Sequence, residues 1–365
     1  MSKWCGMILS MVAVGTMVWP MAEPSRAGGA VTLLSQSETG APRNTDLIVD
    51  GNVAYVGEFS SEGRVAVIDV SDPTTPNLLA VYQSPVRSAT LDLKLKGDIL
   101  FVAQQTGGVA VVDVSDPSHP RTVTFIRDRF TWGGIHNLFV AGDYLYMCAQ
   151  GSGDLLIVDI SDPRRPRLRA VHSPSVGYVH DVTVVDDIAY LANLGSRGPV
   201  ERFGVFQLLD VSDPRRPRVI AEHAYAGGFC HNIWPSPDGR YVATTDELCD
   251  GGHLRIFDIS DLSDIRQIGE YIAPEGESAS VHNAVWVGEM IYMAYYTEGL
   301  QVVDVSDPAH PRPVGSFETW DGQTTLGSCF GGAWGIVARS LGDGRTRVYL
   351  SDITTGLWIF DVMVE

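Results

Sequence analysis

The chain has 365 residues, 45% of them hydrophobic, and 44 acidic against 26 basic side chains give it a formal net charge of −18 at neutral pH. That length and apolar content allow a large buried core, in one domain or several. The charge excludes a nucleic-acid partner, because it repels phosphate backbones and no segment is basic enough to offset it.

Residues 1–27 read as a signal peptide rather than as part of the fold. Lys3 supplies a short positive region, "CGMILSMVAVGTMVW" an apolar core, and "SRA" before Gly28 the small residues that a signal peptidase accepts. The apolar run falls short of the roughly 20 residues that span a bilayer. No later stretch reaches that length, so the mature chain is expected to be extracytoplasmic, periplasmic or secreted, with no membrane span after cleavage.

From Val65 onward one unit dominates. "VAVIDVSDPTTP" returns as "VAVVDVSDPSHP", "LLIVDISDPRRP", "FQLLDVSDPRRP", "LRIFDISDLSDI" and "LQVVDVSDPAHP", and ends in the truncated "LWIFDVMVE". A period of about 40 to 50 residues, seven times over, marks a repeat architecture. Each unit holds a strand with an Asx residue near its start, a turn, an aromatic-bearing strand, a variable loop, the alternating strand that ends in "DVSDP", and a fourth strand. In "SDPxxP" the aspartate accepts hydrogen bonds from amides two residues on and the proline fixes φ, which predicts a type I turn between third and fourth strands. A calcium loop would need more oxygen ligands at closer spacing.

Seven four-stranded units predict an all-β fold, a single seven-bladed β-propeller over residues 28–365, with the first strand of each blade lining a central channel. The last unit stops at its third strand, "LWIFDV", whereas Ala30 to Glu38 looks like a fourth strand without its own first three. This N-terminal strand is expected to complete blade seven and close the ring, removing an exposed edge.

The "LxIVDVSDPxxP" unit, with "AYV" and "HD" or "HN" ahead of it, resembles the LVIVD repeat family of extracytoplasmic propellers, including those of choice-of-anchor B type. The resemblance spans roughly Asp46 to Val364 and implies the propeller fold. It implies no particular reaction, because the family is defined by its repeat. Blade five departs from the pattern with "SDLSDI", and blade seven lacks the turn.

Aligned on the turn that follows them, the inner strands give a column Asp46, Asp92, Asn137, Asp181, Asn232, Asn283 and Gly335. A feature shared by nearly every blade reads as a need of the repeat, here a side chain that caps backbone groups. The preceding column is Thr45, Leu91, His136, His180, His231, His282 and Trp334. Four adjacent blades carry histidine and three do not, so the fold does not require it and a site is indicated. Equivalent positions lie on a circle, from which His136, His180, His231 and His282 could aim at one divalent transition metal, with iron, zinc, copper and manganese as candidates. The outline is similar to the metal centre of carotenoid-cleaving propellers. The competing expectation is four histidines hydrogen-bonded to neighbouring strands or to channel water.

Loops on the same face bring Arg129, Trp132 and Tyr178 as candidate ligand contacts. Tyr178, Glu298 and His253 are candidates for acid or base in metal-dependent chemistry on a small organic or carbohydrate ligand. The second function open to this sequence is a non-catalytic propeller that binds a glycan, a peptide or an extracellular partner protein on that face. The standard hydrolase and nucleotide-binding motifs are missing, which argues against nucleophilic catalysis. Arginines at 164–169 and 215–218 on the opposite face suit solvated turns or an acidic partner.

Cys148, Cys230, Cys249 and Cys329 remain after the signal, an even number for an oxidising compartment. Cys230 begins the inner strand of blade five and Cys249 follows the strand antiparallel to it, which predicts a Cys230–Cys249 bridge with Cys148 and Cys329 free.

Overall fold

In the computed structural model, residues 30–197, 202–274, 279–322 and 329–363 are described, and the expected signal peptide lies outside them. The described residues form 28 strands in seven four-stranded antiparallel sheets. No helix among them is long and apolar enough to cross a membrane. The seven inner strands run Asn44–Asp50, Thr90–Lys96, Ile135–Ala141, Tyr178–Val185, Cys230–Pro235, Ala284–Val287 and Ala333–Ser340.

Position within a blade explains the sequence pattern. Third strands such as Arg64–Asp69 are buried along "VAVI" because both faces pack against other blades, so they read as continuous apolar runs. An outermost strand such as Arg167–His172 buries one face only and alternates exposed with half-buried residues. The "SDP" turns form as expected. The Thr74 amide donates to Asp72 Oδ1 at 2.9 Å and the Thr75 amide to the Asp72 carbonyl at 3.1 Å. Blade five keeps the same turn without its proline: Ser263 donates to Asp261 Oδ1 at 2.9 Å and Asp264 to the Asp261 carbonyl at 3.0 Å. The aspartate therefore specifies the turn, and proline only restricts the unfolded chain.

Ring closure is as expected. Val31–Ser37 pairs antiparallel with Gly356–Met363, from Val31 opposite Val362 to Ser37 opposite Leu357. It forms the outer strand of the sheet that also contains Ala333–Ser340 and Arg345–Asp352. Val31 and Leu33 pack on a core that includes Phe360 and Val362.

The disulfide differs from the expectation. Cys249 is bonded to Cys329, with α-carbons 5.4 Å apart, whereas Cys148 and Cys230 are free and buried. Register is the reason. The residue opposite Cys230 is Asp246, and Cys249 lies three residues beyond it, past the end of that strand. The Cys230 side chain packs in the core with Tyr225 and Phe257, while the Cys249 loop reaches over blade six to the segment that precedes the inner strand of blade seven.

The Asx column does more than cap its own strands. Asp46, Asp92, Asn137 and Asp181 each accept the following backbone amide on Oδ1. Contacts also run from blade to blade: Leu138 N donates to Asp92 Oδ2 at 2.7 Å, Asn232 Nδ2 to Asp181, Ala284 N to Asn232 Oδ1 at 3.1 Å, and Asn283 Nδ2 to Asp46 Oδ2 at 3.2 Å. Lys94 Nζ pairs with Asp92 Oδ1 in the channel. Burial, reinforced by the Asp92 charge, pushes the Asp46 carboxyl up to about 8, and burial takes Asp181 up to about 6. Below this ring a channel cavity of about 200 Å³ is lined by Lys94, Asn137, Asn283 and apolar side chains including Leu138 and Trp234.

Candidate functional site

The four histidines stand directly above the Asx ring and form an arc. Ring centroids are 4.1 Å apart for His136 and His180, 4.1 Å for His180 and His231, and 4.4 Å for His231 and His282, and Trp334 extends the series at 4.5 Å from His282. Each inner strand begins one blade further round, so each imidazole meets the backbone of the next. His180 Nδ1 lies 2.9 Å from the His231 carbonyl, His231 Nδ1 3.2 Å from the His282 carbonyl, and His282 Nδ1 2.7 Å from the Trp334 carbonyl. A carbonyl can only accept, so these rings carry their proton on Nδ1. The lone pair of a neutral ring is then on Nε2, the arrangement that orients metal-ligating histidines. His136 Nδ1 is buried without a hydrogen bond.

Burial keeps three of these rings neutral. It lowers His136 to about 4 and His282 to about 3, and it depresses His231 strongly, with the neighbouring His180 and His282 adding to the effect. His231 is only 2% exposed.

The arc does not converge on one point. Among the described residues, the group whose ligand atoms all lie within 4.8 Å of one another is His231, His282 and Glu247. Glu247 was not singled out from sequence. It follows the strand Tyr241–Asp246, and since Asp246 lies opposite Cys230, the chain leaves the sheet there beside the start of the inner strand that carries His231. Tyr296 donates its phenol hydrogen to Glu247 Oε1 at 2.9 Å and lies 5.1 Å from the His282 ring. Tyr296 holds φ at +29°, a region that bulky residues avoid, and the surrounding packing of Trp334, Phe330 and Ile353 keeps it there.

The remaining candidates divide. Tyr178 is beside the arc, its ring 5.8 Å from His180 and packed with Leu194, Phe229 and Leu248. His253 has its Nδ1 3.6 Å from Glu270 on the outermost strand of blade five. Glu298 lies in the turn after Met290–Ala294, and its charge acts on Tyr271 and Tyr295. Trp132 is 88% exposed on a loop where Asp128 and Thr131 bond reciprocally, and Arg129 lies over the Phe130 ring at 4.6 Å.

These features define a seven-bladed β-propeller with a buried histidine arc where its inner strands begin. The repeat identifies it further. The model of the LVIVD repeat family matches residues 43–84, 88–126, 133–170 and 282–319, so the propeller carries LVIVD repeats in four of its blades. The matched segments are blades one, two, three and six. Blade four, with its extended hairpin, blade five, with its altered turn, and the truncated blade seven lie outside them. No curated protein matches the chain. Among solved structures it is similar to the β-propeller domain of Cps50 (Swd1) from Myceliophteria thermophila, at 14% identity and a TM-score of 0.61, over 92% of this chain and 99% of that one. That likeness concerns the fold alone.

Proposed function

We propose that the protein is an extracytoplasmic propeller that holds a divalent transition metal between His231, His282 and Glu247. The observation that carries this reading is the use of both imidazole Nδ1 atoms by the backbone of the next blade, which turns two neutral Nε2 lone pairs and a carboxylate toward a shared volume. Two imidazoles and one carboxylate suit iron, zinc, manganese or copper. The Cys249–Cys329 bond supports an oxidising compartment and hence export. Tyr178 is the candidate acid or base nearest the arc, should the bound ion act on a small organic ligand.

Metal analysis of the purified mature protein tests the reading. About one ion per chain is expected, lost in the His231→Ala/His282→Ala variant while thermal stability is kept. A preparation that holds no ion and cannot be loaded with iron, zinc, copper or manganese would overturn it.

The exposed Trp132 favours a second reading, a stacking platform for a sugar ring at the rim of the same face. Its loop is held by Asp128 bonds to the Phe130 and Thr131 amides, so the backbone that carries the indole is ordered in advance. Quenching of tryptophan fluorescence by a glycan in the parent protein, absent in Trp132→Ala, is the expected signature.

A further inference from the structure

We infer that the Cys249–Cys329 disulfide is a latch on the histidine arc: it pins the 247–252 loop over His231 and His282, and its reduction opens that end of the channel to solvent. The consequence for ion exchange rests on the metal reading, but the latch itself does not.

The loop is the roof of the site. Its first residue, Glu247, reaches His231 and His282, and its second, Leu248, packs with Phe229, Leu194 and Tyr178 beside the arc. Beneath it both histidines are nearly sealed from water, at 2% and 4% exposure. Hydrogen bonds hold its ends, Glu247 N to the Phe229 carbonyl and Tyr295 to the Gly252 carbonyl, whereas among the described residues the apex has, besides the disulfide, one ion pair, Asp250 with Arg202 at 2.9 and 3.0 Å, between groups that retain much of their solvent. Such pairs add little. At the downstream end Gly251, with φ of +105°, provides a pivot that residues with a side chain resist.

The placement of the bond fits a latch better than a ring staple. It joins blade five to blade seven across blade six, and it does not pair adjacent sheets. The ring is already closed by Val31–Ser37. Access to the two sulfurs is also unequal, since Cys249 is exposed while Cys329 is 1% exposed.

A dithiol reductant would therefore attack at Cys249. Its thiolate forms a mixed disulfide there, the Cys249–Cys329 bond breaks, and Cys329 leaves as a thiolate that takes up a proton. The second thiol of the reductant then displaces Cys249 and departs as a cyclic disulfide, so two electrons and two protons pass to the protein. With the apex released, the loop has lost its covalent tie to blade seven.

The test uses the full mature protein, oxidised and after treatment with dithiothreitol, and reads access without any metal. Diethyl pyrocarbonate acylates accessible neutral imidazoles, and peptide mapping locates the adducts. Reduction is expected to raise the labelling rate of His231 and His282 at least about tenfold, while His119 and His310, exposed on the "SDP" turns, label equally in both forms. Hydrogen exchange should rise over 247–252 and stay unchanged in the seven sheets. Unchanged labelling of His231 and His282 overturns the latch, and so does exchange that rises throughout the sheets, since the bond would then be holding the ring. Zinc release followed in parallel separates the two ideas: faster labelling in a protein that binds no zinc retains the latch and removes only its consequence for the ion.

Discussion

Individual side chains in the channel show how one column of the repeat can carry two jobs. Asp46, Asp92 and Asp181 place three carboxylates around one ammonium, Lys94. Burial lowers the tendency of Lys94 to hold its proton, but the adjacent Asp92 and Asp46 outweigh it and the group stays above its ordinary value. Removing that cation leaves carboxylates without a partner in a poorly solvated ring, so Lys94→Met should destabilise the fold by about 3 kcal/mol in denaturant melts. The same crowding gives a pH signature. The Asp46 carboxyl titrates near 8 in the folded ring and near 3.8 in the unfolded chain, so the native state binds the extra proton between those values. Its stabilising contribution is complete below pH 3.8 and disappears as pH rises through 8, with a slope of at most about 1.4 kcal/mol per pH unit. In Asp46→Asn this component of the decline between pH 5 and pH 9 should vanish, which chemical denaturation at the two pH values will measure. The Asx column was legible as a repeat feature from residues such as Asp92 and Asn232. Its blade-to-blade hydrogen bonds were not, because capping predicts only the contact of a side chain with its own strand.

At the level of strands and turns, much of the architecture could be read from sequence because each signal is local. The "SDP" aspartates bond amides two residues away, and the apolar third strands announce burial on both faces. The partner of Cys249 could not be read in this way. Antiparallel pairing alone predicts a position opposite Cys230, but strand register puts Asp246 there, and Cys329 comes from a loop 80 residues along the chain. Glu247 escaped notice for the same reason, since only the exact end of its strand brings it to His231. The N-terminal strand gives the clearest test at this scale. Deleting residues 30–38 exposes the edge of Gly356–Met363 and part of the Phe360 core, which should cost about 5 kcal/mol or more and lower the melting temperature by 10 °C or more. An unchanged melting temperature would contradict this account of closure.

Taken as a whole, the molecule is stratified along its axis: a latched roof, an arc of imidazoles, a ring of Asx residues with one lysine, and a channel cavity of mixed polar and apolar lining. The layers bear on each other through adjacent residues of the same inner strands, so a change in one should be felt next door. Loading zinc between His231, His282 and Glu247 should raise the melting temperature in proportion to the logarithm of free zinc, and a chelator should reverse the shift. A melting temperature insensitive to zinc would count against the metal reading.

The pairing of Val31 with Val362 has a consequence for how the protein is made. The two residues lie roughly 330 positions apart in the chain, close to the largest separation it allows. During synthesis Val31–Ser37 has no partner until Gly356–Met363 has been made, however many blades have formed meanwhile. Contacts of such long range are slow to form, and an unpaired strand invites association with other chains. Closure of the ring is thus confined to the interval after Gly356–Met363 becomes available. A chain halted before Gly356 should remain an open arc of blades, sensitive to protease at both ends and unable to mature until its last strand is supplied.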